Sequence, residues 1–140
     1  MKKEKAIIYH YSRCPTSVNA LALLKHCNMD IEIIEYMKTS ILNENTIKEL
    51  LKELNISPKE LILPGSNTAQ LINSNLSDEQ IIKYIVNYPI IMSRPIIKTH
   101  KGILICRPSK KVLELVNKIP KKEFINNQDE IIIDENGNIL

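Results

Sequence analysis

AIIYHYSRCPTSVNALALLKH, residues 6–26, is the stretch from which the rest of the chain can be read. Its apolar run, Ala6–Tyr9, continues through His10 and Tyr11 and predicts a buried first strand over Ala6–Tyr11. Beyond the polar Ser12–Arg13, Ala20, Leu24 and Cys27 fall at i, i+4 and i+7, so one face of a helix points into a core. Thr16 and Ser17 are natural N-cap residues for that helix. Cys14 therefore stands where a strand ends and a helix begins. Backbone N–H groups at such a terminus have no intrahelical partners and carry partial positive charge. A thiol there loses its proton more easily, and the same donors suit an anion.

Working outward, Ile31–Tyr36 (IEIIEY) alternates apolar and acidic residues and predicts a second strand. Two strands joined by a helix make a parallel, right-handed βαβ unit. From Asn43 to about Asn87 the pattern is helical throughout. Ile47, Leu50, Leu51 and Leu54 form one amphipathic stripe. Ser57–Pro58–Lys59–Glu60 and Ser77–Asp78–Glu79–Gln80 are helix starts, and Leu63–Asn67 is a breaker between them. Arg94–Pro95 then precedes Ile96–Thr99, a turn at His100–Lys101–Gly102, and Ile103–Cys106, which together predict a β-hairpin. Arg107–Pro108–Ser109 opens a final helix through Val116. The remainder, about 118–140, is a polar tail with a turn at Asn136–Gly137. This order predicts an α/β chain with a thioredoxin-like fold, one domain over residues 1–140. A helical insertion, about 43–88, stands between the second strand and the strand that follows Pro95, the position of that fold's cis proline.

Composition narrows the function. A net charge of +3 without a long Lys/Arg block suits a small anion and argues against nucleic acid. No run approaches the roughly 18 apolar residues of a membrane span, and Met1–Lys5 is charged where a signal peptide would be apolar, so no membrane partner is expected and the cytoplasm is the default. Three glycines leave no room for a phosphate-binding glycine loop. The three cysteines and three histidines lack zinc-ligand spacing, so no metal is expected.

Cys14 has no C-x-x-C partner, because Ser17 occupies that place, and heads no C-x5-R loop, because Ala20 stands where the arginine would be. Cys27, about 20 Å along the helix at 1.5 Å per residue, is too far for a disulfide. Cys27 and Cys106 read as core residues. Resolution by an external thiol is what remains. Arg94 and Arg107, each placed between strand residues and a proline, can hold an oxyanion by charge-assisted hydrogen bonds and favour a thiolate. His10 ends the first strand beside the loop. Arg13 is either a further site residue or a solvated side chain.

The segments IYHYSRCPTSVNALALL, YPIIMSRPIIKT and ICRPSKKVLELV, in that order, resemble the glutaredoxin-coupled arsenate reductases. The likeness runs from Ala6 to about Val116, and the DENGN turn is similar to that of longer members. The resemblance implies that Cys14 attacks arsenate, that glutathione reduces the resulting adduct, and that glutaredoxin resolves the mixed disulfide and arsenite is released. No bound cofactor is implied; glutathione is a co-substrate. By the same resemblance His10 supports the thiolate, Arg94 and Arg107 are two of three oxyanion-binding arginines, and Ser17 and Asn19 belong to the active-site loop. The chain departs from the family at Leu63, which aligns with the third arginine, and at Val18, where a basic residue often follows the loop serine. These losses of charge point to weaker arsenate binding or another substrate. The alternatives are a related thiol oxidoreductase and a redox regulator of the same fold that binds RNA polymerase, although such regulators typically carry the C-x-x-C that Ser17 removes.

Overall fold

A computed structural model of the chain describes residues 3–38, 41–65 and 67–140; Met1, Lys2, Thr39, Ser40 and Ser66 lie outside it. The described residues divide into two compact units, one made of those within 3–34 and 94–140 and the other of those within 35–93.

The first unit is built on β1 (Lys5–Tyr9), α1 (Pro15–His26) and β2 (Asp30–Ile34). β1 pairs with β2 in parallel, from Lys5 opposite Asp30 to Tyr9 opposite Ile34. The strand after Pro95, here β3 (Ile96–Thr99), runs antiparallel to β1 with Ile8 opposite Ile97, and β4 (Gly102–Ile105) closes the sheet in the order β2-β1-β3-β4. That order, with a parallel pair and an antiparallel hairpin on one sheet, is the thioredoxin-like core expected from sequence. Gly102 opens β4 with φ +143°, a conformation open to glycine at this tight turn. The Arg94–Pro95 peptide is cis, as the fold's layout predicts; so is Arg107–Pro108.

α1 buries Ser17, Asn19, Ala20, Leu23 and Leu24. Ala20, Leu23 and Leu24 pack with Ala6, Ile8, Ile97, Cys106, Val112, Leu113, Leu115 and Val116 into one core. Each fully buried leucine there contributes about 1.5–3 kcal/mol. The helix begins two or three residues earlier than Thr16 or Ser17 as a cap would have it. Pro15 has a preset φ and no N–H to leave unpaired, so it takes the first helical position and makes Cys14 the N-cap.

Two further departures lie near the C-terminus. The segment expected as a final helix through Val116 is a 3-10 turn, Ser109–Glu114, held by i→i+3 bonds such as Lys111 N–H to Pro108 O (3.1 Å) and Leu115 N–H to Val112 O (2.9 Å). The polar tail holds a second small sheet, β5 (Phe124–Ile125) with β6 (Ile131–Ile133), and Phe124 and Ile133 are buried in the same core. The turn expected at Asn136–Gly137 is present: the Asp134 carboxylate accepts from the backbone amides of Asn136 (2.9 Å) and Asn138 (2.8 Å).

The second unit contains the expected helical block. α2 (Glu44–Leu54) is capped by Asn43, whose side chain accepts from the Thr46 amide at 2.9 Å, and buries Ile47, Leu50 and Leu51. The Ser57–Glu60 start yields a single 3-10 turn, Pro58–Leu61, with the Ser57 amide donating to Glu60 at 2.8 Å. A short α3 (Ala69–Ile72) leads to α4 (Asp78–Asn87), which opens on the reciprocal Ser77–Gln80 capping box and buries Ile81, Ile82 and Ile85. Of the predicted breaker Leu63–Asn67, Ser66 lies outside the described residues. Among the described residues no helix is long and apolar enough to cross a membrane.

Candidate active site

Cys14 occupies the N-cap of α1 in an extended conformation (φ −97°, ψ 115°), with its amide bound to Tyr11 O at 3.0 Å and its carbonyl accepting from Val18 at 3.0 Å. Only 6% of the residue is exposed. Burial pushes the thiol up, but the Ser17 backbone amide, the Arg94 and Arg107 side chains and the Arg94 charge together outweigh it, and the net result lies below the ordinary thiol range. The site is therefore enclosed by hydrogen-bond donors and positive charge where an inert cysteine would be enclosed by carbon.

Register brings the arginines to the thiol. β3 and β4 pair with Ile96 opposite Ile105, and the ladder continues outward through Cys106 N–H to Pro95 O at 2.9 Å. Arg94 and Arg107 follow directly on that last bonded pair, one on each side of the hairpin's end. Arg107 Nη1 lies 3.6 Å from Cys14 Sγ and also donates to the Arg94 carbonyl at 3.0 Å. The Arg94 guanidinium carbon lies 5.1 Å from the centre of the Tyr11 ring, a cation–π distance. One end of the sheet thus presents two guanidiniums at the start of α1.

His10 is buried, and its Nδ1 and Ser17 Oγ share a 2.6 Å hydrogen bond; the same hydroxyl accepts from the Tyr11 amide at 3.1 Å. His10 thereby holds the residue whose backbone amide favours the Cys14 thiolate. Ser17, read from sequence as a cap, spends its hydroxyl on this link. Arg13 and Val18 are exposed, the latter at 40%. Leu63 belongs to the second unit, where its amide bonds Ile91 O at 2.8 Å; Lys59, the nearest basic residue in sequence, donates to Ser74 O in the same unit.

Asn19 is buried and makes a pair of bonds that no local pattern announces. Its Nδ2 donates to Asn127 Oδ1 at 2.7 Å, its Oδ1 accepts from the Asn127 amide at 2.9 Å, and Asn127 Nδ2 reaches Pro15 O at 3.3 Å. The β5–β6 loop is thus fastened to the first two turns of α1. Only the cluster of Asn126, Asn127 and Asp129 marks a turn in the sequence, and nothing there says what the turn touches.

All three cysteines are free. Burial pushes Cys27 up to about 11 and Cys106 up to about 12, so Cys14 is the one favoured as a thiolate. Among the described residues no group of three or more His, Cys, Asp or Glu side chains could hold a metal ion.

Residues 9–115 match the model of the ArsC family. An arsenate reductase of Synechocystis sp. is 33% identical over 99% of this chain and 97% of its own length, and a second from the same organism is 34% identical over 94% and 96%. Among solved structures, an arsenate reductase from Vibrio cholerae superposes with a TM-score of 0.73 at 25% identity, covering 82% of this chain and 100% of that one. With the family's model spanning α1, Cys14, the hairpin and both arginines, this chain belongs to the ArsC family.

Proposed function

We propose that the chain is an oxidoreductase that reduces arsenate to arsenite with electrons from thiols. The observation that carries this reading is Arg107 Nη1 at 3.6 Å from Cys14 Sγ, beside Arg94, with no second cysteine in the loop. The guanidiniums draw an oxyanion to the sulfur and stabilise the charge that develops as arsenic is attacked. Cys14 Sγ forms an S–As bond, and one arsenate oxygen takes up protons and leaves as water. A glutathione thiolate then attacks Cys14 Sγ. The S–S bond forms as the S–As bond breaks, and the electron pair stays on arsenic, which falls from the pentavalent to the trivalent state and departs as arsenite. A glutaredoxin thiolate attacks the glutathione sulfur of the mixed disulfide and returns Cys14 as thiolate.

In this reading Cys14 is the nucleophile, Arg94 and Arg107 bind substrate, and His10 acts through Ser17 to support the thiolate. Asn19 and Pro95 shape the loop, and Arg13 at the rim is free to meet the incoming anion. No resident cofactor is needed, since sulfur supplies both electrons, and reliance on glutathione fits the cytoplasm. The test is turnover of purified protein with arsenate, glutathione, glutaredoxin and an NADPH-coupled glutathione reductase. Arsenate-dependent NADPH oxidation that Cys14→Ser abolishes is the expected result; oxidation no faster than with that variant overturns the reading.

A further inference from the structure

Next to the nucleophile the β5–β6 loop walls off a cleft of about 330 Å³. Its lining includes Pro15 and Thr16, directly after Cys14 in the chain; Pro108 and Lys110, from the segment that follows Arg107; and Gln128 and Glu130 on the loop. The Asn19–Asn127 pair holds that loop against α1, and within the loop Asn126 Oδ1 accepts from the Gln128 and Glu130 amides, both at 2.9 Å, so the wall is built and not merely adjacent.

The lining speaks about the ligand. A seat for arsenate alone would carry cations only, as around Cys14, yet this cleft is lined by both Lys110 and Glu130, whose carboxylate also accepts from Asn126 Nδ2 at 3.2 Å. A carboxylate repels an oxyanion. Both signs together suit a small molecule bearing an ammonium and carboxylates at its ends. Roughly 300 Å³ is the lower range of volumes for small-molecule sites, enough for a tripeptide. We infer that this cleft seats the thiol peptide that attacks the Cys14 adduct, with Lys110 taking a terminal carboxylate, Glu130 taking the α-ammonium, and the central thiol directed past Pro15 toward Cys14. The inference rests on the thiol-coupled reading above and adds the place where the co-substrate binds.

Thiol–disulfide exchange without arsenic tests the seat apart from that reading. Oxidised glutathione is the probe: the Cys14 thiolate attacks one of its sulfurs, a new S–S bond forms as the old one breaks, and one glutathione leaves as thiolate. The rate is followed at Cys14 by peptide mass spectrometry and compared with the rate for hydroxyethyl disulfide, which has neither ammonium nor carboxylate. In Lys110→Glu the ratio of the two rates should fall by about fivefold, the size expected when an exposed ion pair is lost and its sign reversed. Lys111→Glu, which alters the adjacent exposed lysine outside the cleft, should leave the ratio within about twofold, because an exposed charge beyond the contact is screened. An unchanged ratio in Lys110→Glu, or an equal fall in both variants, overturns the seat. A failure of arsenate turnover in the coupled assay overturns the function and leaves the exchange ratio as it was.

Discussion

Arg107→Ala is the most informative perturbation of the site. Arg107 Nη1 is 3.6 Å from Cys14 Sγ, and at that separation two unit charges attract by about 1 kcal/mol even with the dielectric of bulk water. Cys14 is 6% exposed, so the effective dielectric is lower and this figure is a floor. At a pH below the thiol's midpoint the variant should hold roughly five- to tenfold less thiolate, since about 1.4 kcal/mol is a factor of ten. The sign follows from the direction of the shift. Arg107 is among the groups that lower the Cys14 pKa against the upward push of burial, so its removal moves the titration to higher pH. The assay is alkylation by iodoacetamide across pH, read at Cys14 by peptide mass spectrometry. That reagent is uncharged, so electrostatic steering does not enter, and Cys27 and Cys106, raised to about 11 and about 12, contribute little. Arg107→Lys should recover much of the thiolate through its charge while losing the fork that also binds the Arg94 carbonyl, so alkylation should return further than arsenate turnover. A pH profile in Arg107→Ala that superposes on the parent, or moves to lower pH, would refute the assignment of Arg107 to the thiolate.

Three other outcomes follow from individual contacts. Asn127→Ala leaves the buried Asn19 amide without its 2.7 Å acceptor and should cost about 1–3 kcal/mol in urea unfolding; a loss below a few tenths would mean the loop is not fastened to α1. Leu24→Ala, at a fully buried position of α1, should cost about 2–5 kcal/mol by the same measurement, and a smaller effect would contradict its place in the core. Hydrogen bonds from the Asn138 amide, then from the Asn138 side chain and the Asn136 and Gly137 amides, hold the Asp134 carboxyl below the usual carboxylate range despite an opposing desolvation contribution. The stability this gives the turn is present above the carboxyl's unfolded pKa and is lost as pH falls through the depressed folded value. The Asn138 amide proton resonance should therefore titrate below the ordinary carboxylate range, and a midpoint at or above that range would show that these bonds do not form.

The site was half legible in the chain. Cys14 could be found because a strand-to-helix junction is a local pattern, and the prolines after Arg94 and Arg107 marked both arginines. Ser17 was misassigned: a hydroxyl in a helix's first turn reads as a cap, and only the buried His10 beside it shows that the hydroxyl is already engaged. The tail was underread because Phe124 and Ile131–Ile133 are too sparse for a period to emerge, and their burial depends on a core assembled elsewhere in the chain.

By itself the sequence determined what depends on neighbours three or four residues apart. The Asn43 and Ser77 caps, the hairpin at Gly102, the stripe of α2 and the exposure of Cys14 to a helix N-terminus all belong to that class, because propensity and capping act within a turn. The tertiary structure decided what lies across the sheet. Arg107 meets Cys14 over a separation of 93 residues and Asn127 meets Asn19 over 108, and each contact is set by strand register and by which apolar faces find one another. Such contacts overcome the loop-closure entropy of long chain segments only once the core is formed, so no local pattern carries them. The cysteine after the first strand was readable as standing at a helix N-terminus; that a distant arginine meets it, and that a distant loop is fastened to the helix it opens, is a property of the fold.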